Sequence, residues 1–94
     1  MKVNFYRNFK DALGREMPNS FISEGIAEAL FNYGKGKEVS HEEKFKAFCI
    51  NQKMIACPSA VELTVEEAAL IKKIAGESFT AGGYGQVYEL LEKE

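Results

Sequence analysis

The chain has no tryptophan, one histidine, two prolines and two cysteines among its 94 residues. Each shortage closes a class. A structural or catalytic zinc site needs several His or Cys ligands at close spacing. His41 with Cys49 eight positions on is not such a set, and no third group is in place to orient a cysteine–histidine nucleophile. A secreted disulfide scaffold of this size carries four or more cysteines. Cys49 and Cys57, in KAFCINQ and IACPSA, read instead as small buried hydrophobes, with a Cys49–Cys57 disulfide left open. No apolar run approaches the ~20 residues that a membrane-spanning helix requires. The N-terminus, MKVNFYRNFKD, lacks the apolar segment of a signal peptide, so the expectation is a cytoplasmic protein. Basic charge is also scarce. The net charge is -2, near neutral over residues 1–50 and acidic beyond. Nucleic-acid binding draws on basic groups that displace counterions from phosphates, and no large basic face is evident.

What is present is an ordinary globular composition, 46% hydrophobic and 28% charged. That is too apolar for disorder and the right size for one domain spanning residues 1–94. Residues 3–9, VNFYRNF, alternate with period two and predict a strand. Asp11 to Gly14 suit a type I turn. Arg15 to Met17 return as a short second strand that Pro18 ends. Val61 to Leu63 are a candidate third strand. The first helix is predicted from about Ser20 to Tyr33, capped by Asn19 or Ser20 and stopped at Gly34. The second opens with SHEE, where Ser40 and Glu43 make a capping box, and ends before Pro58. The third opens with TVEE, Thr64 and Glu67 repeating the box, and Gly76 is its predicted stop. The fourth carries Tyr84, Val87, Tyr88 and Leu91 at helical spacing.

Gly82-Gly83-Tyr84-Gly85, at the head of that last helix, raise the question of a phosphate cradle. A dinucleotide fingerprint needs a third glycine where Tyr88 stands, and a strand before it. A P-loop needs Gly-Lys-Ser/Thr where this chain has Gly-Gln-Val. The glycines therefore read as a close-packing turn against a neighbouring backbone. Glu42/Glu43 and Glu66/Glu67 are adjacent pairs that do not face each other on a helix, so capping explains them better than acid–base catalysis. Phe5, Tyr6, Phe9, Phe45, Phe48, Tyr84 and Tyr88 would serve as stacking platforms only beside a positive groove. Lys2, Arg7, Lys10 and Arg15, near the hairpin, are the one weak basic cluster.

The hairpin with its Asp-x-x-Gly turn, the Glu-Glu-Lys helix, ELTVEEAALIKKIAG (Glu62 to Gly76) and GQVYELLE (Gly85 to Glu92) form a recognisable combination. Together they resemble the small proteins of unknown function encoded by tailed phages and integrated prophages. The resemblance covers most of the chain. It implies a gene among those for head and tail assembly, with no catalytic residues to carry over.

The expectation is a mainly helical α+β domain, a β-hairpin or three short strands packed on about four helices. Its predicted core is Phe5, Phe9, Ile26, Leu30, Phe45, Phe48, Cys49, Leu63, Leu70, Ile71, Ile74, Val87, Tyr88 and Leu91. The expected function is a non-enzymatic protein-interaction or assembly factor, with no catalytic, cofactor-binding or metal-binding residues. A small nucleic-acid-binding regulator is the alternative. A phage structural or host protein is the expected partner, and aromatic surface on Phe31, Tyr33, Tyr84 and Tyr88 points to self-association.

Overall fold

The computed structural model describes residues 1–93. Its elements run β1 (Lys2–Val3), β2 (Asn8–Lys10), β3 (Glu16–Phe21), α1 (Ile22–Phe31), α2 (His41–Ala56), β4 (Val61–Glu62), α3 (Val65–Ser78) and α4 (Ala81–Lys93). The result is a mainly helical α+β fold with an N-terminal hairpin.

The strands form two antiparallel pairs rather than one sheet. β2 pairs β3 as the hairpin, and β1 pairs β4, with Val3 opposite Val61. The predicted third strand thus exists but pairs with the chain start, because segment 3–9 is broken in two. Phe5 lies in the break. It is fully buried, and its N–H donates to Pro58 O at 2.8 Å. The hairpin turn closes where Gly14 N–H donates to Asp11 O, and the Asp11 carboxylate accepts from the N–H groups of Leu13 and Arg15.

Pro18 does not end the second strand. β3 continues to Phe21 through an irregular register, in which two steps along β2 face five along β3. A bulge is where a strand tolerates proline, and Asn19 beside it takes a left-handed φ of 59°. That conformation explains why α1 starts at Ile22 and not at Ser20. Neither Asn19 nor Ser20 caps it. Its first free N–H groups go to the hairpin instead: Ile22 N–H to Arg7 O at 2.8 Å and Ser23 N–H to Phe5 O at 3.0 Å. α1 ends at Phe31, ahead of Gly34. Gly34 has φ +97°, and a Cβ there would sit 2.9 Å from both Lys44 Cε and Val39 Cγ2, so both conformation and space require glycine.

The other helix starts follow the sequence. Thr64 and Glu67 exchange both capping bonds, at 3.1 and 2.9 Å. Ser40 makes only half of its box. Its Oγ accepts from Glu43 N–H, while the Glu43 carboxylate is turned to Tyr33 and Lys73. Gly76 does not stop α3, which runs to Ser78 with the Tyr84 ring lying against Gly76.

α1 and α2 pack antiparallel. Asn51 Nδ2 donates to Ala27 O at 2.8 Å, and Tyr33, just past the end of α1, bonds Glu43 near the start of α2. The core joins Val3, Phe5, Ile26, Leu30, Ala47, Ile50, Met54, Val61, Leu63, Ile71, Ile74, Val87 and Leu91. Five predicted core residues lie outside it. Phe45, Phe48 and Tyr88 are exposed, Phe9 is half-buried against the core, and Cys49 is half-buried. Cys57, expected inside, is exposed, and both thiols are free.

Candidate interaction surface

α2 carries two apolar stripes. Ala47, Ile50, Asn51 and Met54 face inward and are buried. Phe45, Phe48, Gln52 and Ile55 recur at steps of three, four and three on another side. At 100° per residue the two stripes are centred about 130° apart around one helix. The inward side chains are the smaller and more flexible ones, and they fit between α1 and α3. The two phenylalanines cannot turn inward without rotating Ala47 and Met54 out. Phe45 is 65% exposed, Phe48 45% and Ile55 61%, and the two rings stack on each other with centroids 6.4 Å apart.

A further exposed ring lies on α1. Phe31, 67% exposed, stands one turn beyond Ala27, on the flank of α1 that Asn51 ties to α2. Because the helices are antiparallel, one turn forward on α1 meets one turn back on α2, which is where Phe48 stands. Half-buried Cys49 borders the patch, and Lys44 rims it toward Gly34. Exposed apolar area concentrated in this way marks an interface.

A third flank of α2 is polar. The first turns of α2 and α3 border a cleft of about 520 Å³ that brings together Glu42, Glu43, Glu66 and Glu67. The two pairs read separately in the sequence are therefore neighbours in space. Each carboxylate has a lysine close by. Lys73 Nζ is 2.9 Å from Glu43, Lys53 Nζ is 2.9 Å from Glu67, and Lys46 Nζ is 3.9 Å from Glu42 and from Glu66. The Tyr33 hydroxyl and the Lys73 ammonium hold Glu43 below the usual carboxylate range. Burial works to raise Glu67, but the Thr64 N–H and Lys53 outweigh it and hold it low. Both carboxylates are thus fixed as anions, the opposite of what a general acid needs. Burial, then the bond to Glu43, raises the Tyr33 hydroxyl in turn. This cluster works as an ionic latch between α2 and α3.

The remaining candidates disperse. His41 is exposed at the first position of α2. Among the described residues, no group of three or more His, Cys, Asp and Glu is arranged to hold a metal ion. Arg15 is paired with Asp11 at 3.1 Å and Arg7 Nε donates to Asn4 O, so part of the hairpin's basic charge is already engaged. Tyr84 and Tyr88 tilt against each other on α4 beneath Lys72. Of the three glycines at the head of α4, only Gly83 is close-packed: a Cβ there would lie 3.3 Å from Phe79 Cβ. Gly82 and Gly85 face open space. The expected approach of a neighbouring backbone is therefore a single contact with a side chain. Among the described residues, no helix is long and apolar enough to cross a membrane.

Sequence reasoning placed Phe45 and Phe48 in the core and so missed this surface. The signal available was the second stripe on α2, complete with Ala47, Ile50 and Met54. No family model, no curated protein and no solved structure matches the chain.

Proposed function

We propose that this chain is a non-enzymatic protein-interaction module that docks through the outer face of α1 and α2. One observation carries the reading: Phe45, Phe48 and Ile55 form one exposed stripe on the longest helix, and Phe31 is exposed on the helix beside it. Phenylalanine side chains each bury about 150–250 Å² when covered, so the three rings alone leave roughly 350 Å² uncovered per chain. That is the size of a functional patch on a monomer. The resemblance to small tailed-phage proteins supplies the setting in which to look for the partner, the assembly of heads and tails.

The test compares the tagged wild type with a Phe45→Asp/Phe48→Asp double variant and a Leu13→Asp control, captured from the native host with its prophage induced. Leu13 is exposed in the hairpin turn, away from α2. A protein held by the wild type and the control, lost by the double variant, and rebound as a purified component supports the reading. Equal recovery by all three removes the docking face. Turnover of a substrate that vanishes on one point substitution removes the non-enzymatic reading.

A further inference from the structure

The outer stripe of α2 has the spacing of a helix-pairing seam. Phe45, Phe48, Gln52 and Ile55 follow the 3-4-3 pattern that keeps apolar side chains on one line against a second helix. The question is which helix covers it. We infer that a second copy of this chain does, with the two α2 helices packed antiparallel about a two-fold axis near the level of Ile50. The inference rests on the reading of this face as the contact surface and names its occupant.

Three features select that occupant. The first is self-complementarity, which a two-fold interface demands. Antiparallel pairing about Ile50 sets Phe45 against Ile55 of the second copy and Phe48 against its Gln52. Each ring then meets a smaller side chain, and no two phenylalanines compete for one space. Gln52 is prepared for a seam, because its amide N–H already donates to Asn51 Oδ1 at 3.1 Å.

The second feature is charge. The first turn of α2 reads His41, Glu42, Glu43, Lys44, while the chain leaving its last turn reads Ala56, Cys57, Pro58, Ser59. In the antiparallel arrangement the acidic first turn of one copy lies toward the last turn of the other, which carries Lys53 and no acidic residue. A parallel arrangement would bring the two acidic first turns, Glu42 and Glu43 of each copy, close together, a repulsive pairing.

The third feature is area. Two copies bring roughly 440 Å² from Phe45 and Phe48, where a phenylalanine buries about 150–250 Å². Ile55, Gln52 and Cys49 then carry the total toward the roughly 1,000 Å² that separates specific interfaces from incidental contacts, the size of a weak, reversible dimer.

The experiment is sedimentation equilibrium on the purified chain over a wide concentration range, joined to cross-linking. The wild type is expected to move from monomer to dimer with a micromolar dissociation constant. Phe48→Asp is expected to stay monomeric with an unchanged far-ultraviolet circular dichroism spectrum. Cys49 borders the seam close to the proposed axis. A Cys57→Ser chain is therefore expected to join through Cys49 under mild oxidation or a short bis-maleimide. A Cys49→Ser/Cys57→Ser/Val65→Cys chain, whose thiol lies at an exposed position of α3, is expected not to. A wild type that remains monomeric up to about 1 mM overturns the inference. So does a dimer that survives Phe48→Asp or cross-links through Val65→Cys and not through Cys49. A monomer that still captures a protein through Phe45 and Phe48 would sink the second copy and leave the docking face standing.

Discussion

Gln86, in the second turn of α4, holds the backbone of Lys10 in β2 with both ends of its amide. Lys10 N–H donates to Gln86 Oε1 at 2.7 Å, and Gln86 Nε2 donates to Lys10 O at 3.0 Å. This is the bonding that a neighbouring strand would provide, supplied by one side chain. It ties the short edge strand of the hairpin to the last helix, 76 positions away in sequence. Gln86→Ala is expected to lower stability by about 1 kcal/mol, the net worth of a typical hydrogen bond or two at an exposed site. Amide hydrogen exchange should quicken at residues 8–10 and hold steady in α2. Gln86→Glu keeps the acceptor for Lys10 N–H and loses the donor, so its cost should fall between wild type and Ala.

The glycines at the start of α4 divide by their surroundings. Gly82 and Gly85 sit in a helix with nothing near the site of a Cβ. Alanine there should stabilise by up to about 1 kcal/mol each, through helix propensity. Gly83→Ala would place its methyl 3.3 Å from Phe79 Cβ, and the gain should vanish. Gly34→Ala should be the costly one, by more than about 1 kcal/mol, from its left-handed backbone and its two 2.9 Å contacts. Urea midpoints of the four variants check the order. A Gly82→Ala variant less stable than wild type would show that glycine serves the groove it borders with Phe9, Met17 and Phe79.

The features legible in the sequence are those built from local chemistry. Thr64 and Glu67 mark a helix start wherever they meet, because both capping bonds close within four residues. Asp11 and Gly14 mark their turn for the same reason. The features that were not legible are settled by distant partners. Glu43 has the position of a capping residue, but Tyr33, in the turn after α1, and Lys73, on α3, reach its carboxylate and draw it off. Gly76 has the look of a stop, yet α3 continues to Ser78, where Phe79 N–H still donates to Ala75 O. The site itself turned on one ambiguity. α2 has two stripes, and size favoured the wrong one. Asn51 decided it, a buried amide whose partner, Ala27 O, lies on another helix.

The capping box also gives a pH dependence with a definite sign. Asp11, Glu43 and Glu67 all have folded-state pKa values below their ordinary ones, Asp11 chiefly through the Arg15 N–H. A carboxylate of that kind contributes its full share of stability above the unfolded pKa and loses it as pH falls through the lower, folded value. Stability should therefore decline on acidification below about pH 5, by the usual linkage for carboxylates. Glu67→Gln should be less stable than wild type at neutral pH, and the gap should narrow in acid. Thr64→Ala, which removes the other half of the box, should cost about 1 kcal/mol. Chemical denaturation at several pH values measures all three. A gap between wild type and Glu67→Gln that widens toward acid would contradict the ionised role given to Glu67.

Phe5 and Phe48 make opposite predictions from the same residue type. Phe5 is fully buried at the break between β1 and β2, where its N–H and C=O also tie Pro58, Arg7 and Ser23. Phe5→Ala should cost about 3–5 kcal/mol, a cavity at the centre of the core. A domain of this length has roughly 5–14 kcal/mol in all, so the variant should be near unfolding at room temperature. Phe48 is a surface residue of the folded monomer. Phe48→Ser, measured at low concentration where any pairing is dissolved, should change stability by no more than about 0.5 kcal/mol. At high concentration the same substitution should remove whatever extra stability association confers, so that the wild-type melting temperature rises with concentration and that of the variant does not. A Phe48→Ser chain that melts far below wild type even when dilute would return Phe48 to the core and take the proposed docking surface with it.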